Sequence, residues 1–175
     1  EMGGQAADHG MLNSADCSLR VLDVKKTPKG YYVHTCVLES GIVKVGDHLT
    51  AQVDKEYRMA IARNHTATHL LQAALREVLG DHVHQAGSYQ DASITHFDFT
   101  HFSAVTPEEL LRVQKIVNDK IFESMNVTVK EMPIEEAKKL GAMALFGEKY
   151  GKVVRVVDIE GWSTEFCGGT HVKNT

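Results

Sequence analysis

The 175-residue sequence is 43% hydrophobic and carries 19 Lys and Arg against 23 Asp and Glu, a formal net charge of −4. That composition specifies a folded chain with one good core, or a main core and a small satellite, and excludes a broadly basic surface that would grip nucleic acid by bulk charge. No apolar run approaches the roughly 20 residues that span a bilayer and no basic-then-apolar leader opens the chain, so the expected location is cytoplasmic, with no membrane partner.

Three segments in the first third, Cys17 to Lys25, Tyr31 to Leu38 and Asp47 to Lys55, alternate apolar and polar residues or carry β-formers. Pro28 to Gly30, Gly41 and Gly46 separate them, which predicts a small β-barrel over residues 1–60. The boundary is expected near Tyr57 to Ala62, before a core over residues 61–175. There Asn64 reads as the N-cap of a helix whose stripe, Leu70, Leu71, Ala74, Leu75 and Val78, stops at Gly80. Thr106 and Glu109 match a capping box with Pro107 at the first position of a second helix, running through Leu110, Val113, Ile116, Val117 and Ile121. Asn126 to Glu131 and Lys152 to Ile159 read as strands, and Ile134 to Leu140 as a short helix stopped by Gly141. The fold class is α+β, with a mainly antiparallel sheet and packed helices behind the barrel.

Two motifs carry chemistry. In R-N-H-T-A-T-H-L-L, His65 and His69 stand four apart, which on a helix puts both imidazoles on one face. In F-C-G-G-T-H-V, Cys167 and His171 flank two glycines that let a loop curl tightly. Three imidazoles and a thiolate suit one tetrahedral Zn2+ ion, held by His65, His69, Cys167 and His171. Such a set is either closed and structural, or catalytic through a displaceable ligand or an expanded shell. Cys167 reads as a metal ligand ahead of a nucleophile, because a zinc-held thiolate is less able to attack. Three widely spaced cysteines argue against a disulfide framework, and Cys17 and Cys36 read as small buried hydrophobes in strands.

Four stretches together resemble the editing domain of the alanyl-tRNA synthetase family: G-G-Q-A-A-D-H-G from Gly3, R-N-H-T-A-T-H-L-L from Arg63, A-K-K-L-G-A-M-A-L-F-G-E-K-Y-G from Ala137 and C-G-G-T-H from Cys167. The editing half of threonyl-tRNA synthetase shares the ligand pattern but not the first and third stretches. The resemblance implies a compact barrel before an editing core that hydrolyses the ester of Ser-tRNA(Ala) and Gly-tRNA(Ala), with His69 and Cys167 coupling metal to catalysis. The implied partners are the acceptor end of tRNA(Ala) and the remaining domains of a full-length synthetase, of which the chain would be an excised part. Such editing is a physical need, since a pocket shaped for alanine cannot exclude glycine and rejects serine poorly. Recognition of the wrong amino acid is assigned to Thr68, Gln85 and Ser88, which offer hydroxyl and amide groups to a serine side chain. Gly3-Gly4-Gln5 also matches the tripeptide with which peptide release factors position water on an ester; here it is assigned a loop-shaping role near the pocket. His84, His96 and His101 are secondary candidates for lining it. A zinc-stabilised RNA-binding module without catalysis, and a freestanding or threonyl-type editing protein, are the competing readings.

Overall fold

A computed structural model describes residues 4–143 and 151–175. The order is β1 (Gly10–Asn13), β2 (Cys17–Lys26), β3 (Tyr32–Gly41), β4 (Thr50–Val53), α1 (Lys55–Leu79), β5 (Gln85–Gln90), β6 (Thr95–Phe99), α2 (Pro107–Phe122), β7 (Val127–Pro133), α3 (Ile134–Lys139), β8 (Val153–Ile159) and β9 (Ser163–Phe166). Among the described residues, three antiparallel sheets and three helices make a mixed α/β chain. The first sheet has the order β3-β2-β1-β4, β5 pairs with β6, and the third sheet runs β7-β8-β9. The N-terminal strands expected from the sequence are present and form an antiparallel sheet. Closing it into a barrel would bring β3 beside β4, and the described pairings leave those strands at opposite ends of the order.

The ligand helix departs most from the sequence reading. Its N-cap is Asp54 and not Asn64, and the Asp54 carboxylate accepts the Tyr57 N–H at 3.0 Å. Helix α1 thus opens at Lys55, well ahead of His65, and spans 25 residues, a length of about 38 Å. Asn64 lies inside it, and its side-chain amide donates to Asp91 O at 2.7 Å. Tyr57 to Ala62 lie within α1, where Ile61 and Ala62 are buried. Lys55 belongs to α1 and Asp47 sits in a turn accepting the Lys44 N–H, so the expected strand from 47 to 55 shrinks to β4. Strands β1, β6 and β9 are not legible in the sequence as separate elements, being only four or five residues long.

Helix α2 matches the reading closely, with both halves of the Thr106 and Glu109 capping box formed and Pro107 at its start. The short helix ends at Lys139 with Leu140 as its C-cap, followed by Gly141 at φ +74°, a left-handed conformation that glycine adopts without penalty. Ala74, Leu75, Val83 and Val113 form one buried cluster that joins α1, α2 and the β5–β6 hairpin. Leu70, Met125 and Ile159 form a second, which seats α1 against the C-terminal sheet. Each large apolar side chain so enclosed contributes roughly 1.5–3 kcal/mol. Cys17 is buried and Cys36 only half-buried, and none of the three cysteines forms a disulfide. This packing presents the middle of α1, where His65 and His69 lie, to the end of β9, where Cys167 follows.

Candidate metal centre

Helical periodicity sets the first two imidazoles, with ring centroids 5.6 Å apart. The other two groups come from the turn after β9. Its start is pinned twice to β8, since Cys167 N–H donates to Arg155 O at 3.1 Å and Arg155 Nη1 donates to Cys167 O at 2.7 Å. Gly168, Gly169 and Thr170 then reverse the chain and return His171 to α1. One ligand atom from each of His65, His69, Cys167 and His171 lies within 4.8 Å of all the others. Cys167 Sγ is 3.3 Å from His65 Nε2 and 3.4 Å from His171 Nε2. A tetrahedral ion with bonds of about 2.0 Å to nitrogen and 2.3 Å to sulfur has nitrogen–sulfur edges of roughly 3.5 Å, which these two spacings match.

Each imidazole is also held from behind. His65 Nδ1 lies 3.0 Å from Gln5 Oε1, and His171 Nδ1 lies 3.1 Å from Thr66 Oγ1. Glu165 Oε2 stands 3.4 Å from His69 Nδ1, in ion-pair reach though off the line of a hydrogen bond. For His65 and His171 an oxygen at hydrogen-bond distance favours the proton on Nδ1 and leaves the Nε2 lone pair to the centre, the arrangement by which outer partners orient metal-binding histidines. Cys167 Sγ accepts the Gly169 N–H at 3.4 Å, which favours negative charge on sulfur.

Burial lowers the pKa of His65 to about 3 and of His69 to about 4, and lowers that of His171; neighbouring imidazoles or Arg155 add to the effect. The three rings are therefore neutral and able to ligate at neutral pH. Burial pushes the Glu165 carboxyl up to about 7, opposed by its hydrogen bond from Ser163 and by Arg76. Gly169 is a packing necessity: a Cβ there would lie 2.0 Å from His65 Cε1, 2.4 Å from its Nδ1 and 2.8 Å from Gln5 Oε1.

The four expected ligands are thus brought together, whereas the expected recognition residues hydrogen-bond to none of them. Thr68 is buried and its hydroxyl donates to Asn64 O at 2.9 Å, a carbonyl that also accepts from Thr95 Oγ1. Gln85 Nε2 donates to Ser88 Oγ at 3.1 Å on β5. Ser88 abuts Gly4, where an added Cβ would meet its carbonyl oxygen at 2.4 Å, and Gly4 and Ala6 pair with Gln90 at the end of the same strand. Gln85 and Ser88 therefore adjoin the segment that carries Gln5. His96 pairs with exposed Asp98, and His101 with His82, so neither reaches the cluster. Gly3 and residues 144–150, which complete two of the family-like stretches, lie outside the described residues.

Thr66, which the sequence offers with Thr68 as a small hydrogen-bonding group of the pocket, does line it, whereas sequence reasoning misses the roles of Arg155 and Glu165. Thr66 has a signal, a hydroxyl one position after a ligand, while nothing local marks a carboxylate two residues before Cys167. The motif places Gln5 near the pocket, but its contact with His65 spans 60 positions. Beside this centre a cavity of about 370 Å³ runs from Gln5, Gly168, Gly169 and Thr170 to the N-terminal sheet. Among the described residues no helix is long and apolar enough to cross a membrane.

Two families match parts of the chain: the class II tRNA synthetases (A) over residues 1–57, and the second additional domain of threonyl and alanyl tRNA synthetases over residues 154–175. The alanine–tRNA ligase of Acetivibrio thermocellus is 55% identical over all 175 residues, and that of Bacillus subtilis 53%. The chain spans 20% of the length of each of these relatives.

Proposed function

We propose that this chain, which belongs to the alanyl-tRNA synthetase family and matches its editing-type domain, hydrolyses the ester bond of Ser-tRNA(Ala) and Gly-tRNA(Ala) at a site built around one zinc ion. The observation that carries the reading is the convergence of three neutral imidazoles and a thiol, each imidazole backed at Nδ1 by an oxygen. Nitrogen and sulfur donors of this kind suit zinc over magnesium or calcium, which take oxygen. His65, His69, Cys167 and His171 would hold it, and zinc when bound supplies Lewis-acid polarisation of a carbonyl or of water.

The chain's own residues supply position and selectivity. Gln5, Thr66 and Glu165 orient the imidazoles, and the Arg155 clamp fixes the loop that bears Cys167 and His171. Because Thr68 spends its hydroxyl proton on Asn64 O, its oxygen is left as an acceptor, the complement to a serine hydroxyl and not to the methyl group of alanine. Gln85 and Ser88 supply further polar groups on β5. The acceptor end of tRNA(Ala) is the partner, the remaining domains of a synthetase supply the bulk of its affinity for RNA, and the cytoplasm is the compartment.

The test is to incubate the purified chain with seryl-, glycyl- and alanyl-tRNA(Ala) and measure bound metal in parallel. Serine and glycine should be released with little loss of alanine, and His69→Ala or Cys167→Ala should lower zinc content and hydrolysis together. A seryl ester left intact would refute the reading. RNA binding without release would point to a zinc-stabilised binding module, a role that four protein ligands filling a tetrahedron also favour. Preference for threonine-specific tRNA would point to a threonyl-type or freestanding editing protein.

A further inference from the structure

The two ends of the Gln5 amide are in different surroundings. Its Oε1 accepts from Thr170 N–H at 2.7 Å and Thr170 Oγ1 at 3.0 Å, and lies 3.0 Å from His65 Nδ1. The Thr170 backbone N–H, which can only donate, fixes which end of the amide is oxygen, because a flipped amide would set its NH2 group against it. Nε2 has no hydrogen-bond partner among the described residues. The enclosed polar atoms that lack a partner belong to Asp8, His69, Gln72 and Gln90, so Nε2 of Gln5 is open, and the space that Gln5 lines is the cavity of about 370 Å³ shared with Gly168, Gly169 and Thr170. Lys26 and Arg58 also line it, the Arg58 guanidinium 3.6 Å from the Asp8 carboxylate, and a cationic side chain there suits a phosphate-bearing end. His65 Nε2 lies on the far side of the same imidazole, so the amide group, through its oxygen, stands one ring away from the candidate metal position.

We infer that the Gln5 NH2 group is a carbonyl-anchoring donor for the ester, aimed from a rigid mount at the oxygen where charge develops. This rests on the editing reading and adds a residue to it. In the step served, a water oxygen bonds to the ester carbon and the C=O electron pair moves onto oxygen, against the Gln5 N–H. The pair then returns and the bond to the ribose oxygen breaks. Its electrons stay on that oxygen, which takes the proton the water gives up, leaving the free amino acid and the ribose hydroxyl. A donor already held by three hydrogen bonds stabilises that charge without reorganising.

The test separates the two ends of the amide. Gln5→Glu keeps an oxygen for Thr170 and His65 but loses both donors, whereas Gln5→Met keeps the length and loses everything. At saturating zinc, Gln5→Glu should hold zinc affinity within about threefold of the parent while the deacylation kcat falls about 100-fold, the loss typical of one oxyanion donor, with KM little changed. Gln5→Met should lose zinc affinity by about 10-fold or more in addition. A Gln5→Glu chain whose kcat stays within about threefold of the parent overturns the inference, and so does one whose activity falls only in step with lost zinc or lost fold. A parent chain that binds zinc yet releases no serine sinks the functional reading itself, and the inference with it.

Discussion

Replacing Gly169 by alanine asks one methyl group to enter the tightest spot beside the metal centre. Its Cβ would lie 2.0 Å from His65 Cε1 and 2.4 Å from Nδ1, where carbon atoms in contact settle at about 3.5–4.0 Å. Either the ring or the loop must therefore retreat by roughly 1.5 Å, many times the ±0.2 Å tolerance of a metal–ligand distance. The ring cannot yield freely, since its Nδ1 is engaged by Gln5, whose oxygen the same methyl would crowd at 2.8 Å. The loss should be at least that of removing an outer partner, about 10- to 100-fold in zinc affinity, or about 1.4–2.8 kcal/mol. Zinc titration against a competing chelator measures it, with Gly151→Ala as the control, because among the described residues a Cβ there meets nothing closer than Val153 O at 3.7 Å. A Gly169→Ala chain that binds zinc within about threefold of the parent would contradict the packing argument.

Thr66→Val removes the acceptor that faces both His171 Nδ1 and Val172 N–H; zinc affinity should fall by about 10- to 100-fold and stability by about 1–3 kcal/mol, read by chelator competition and urea unfolding. Thr68→Val should cost less than about 1 kcal/mol, because Asn64 O keeps the Thr95 hydroxyl, yet it should change the ratio of serine to alanine released; an unaltered ratio retires that residue from recognition. For the metal-free chain, the three buried histidines have folded pKa values below the unfolded 6.5, so the stability tied to their neutral form is present above about pH 6.5 and is lost as pH falls toward 4. Glu165, raised to about 7, works in the opposite sense between pH 7 and 4.5, leaving a net uptake of about two protons on unfolding near pH 5.5. Urea midpoints should therefore drop between about pH 7.5 and 5.5, and a flat or rising profile would count against the burial of these rings.

What could be read from the linear chain follows from interactions a few residues long. A helix repeats every 3.6 residues, so His65 and His69 had to share a face, and the capping box at Thr106 and Glu109 closes on itself within one turn. The Cys-Gly-Gly-Thr-His loop reads directly because two glycines permit a tight reversal. Local rules also mislead: Asn64 is a good cap in isolation, but Asp54 captures the helix start and the helix runs on through the buried Ile61 and Ala62. The packed chain alone decided the rest. Gln5 meets His65 across 60 positions and Thr170 across 165, His171 meets Thr66 across 105, and Glu165 reaches His69 only because β9 lies against α1. Periodicity and capping carry no information about such distant partners, which are set by how sheets and helices bury their apolar faces together.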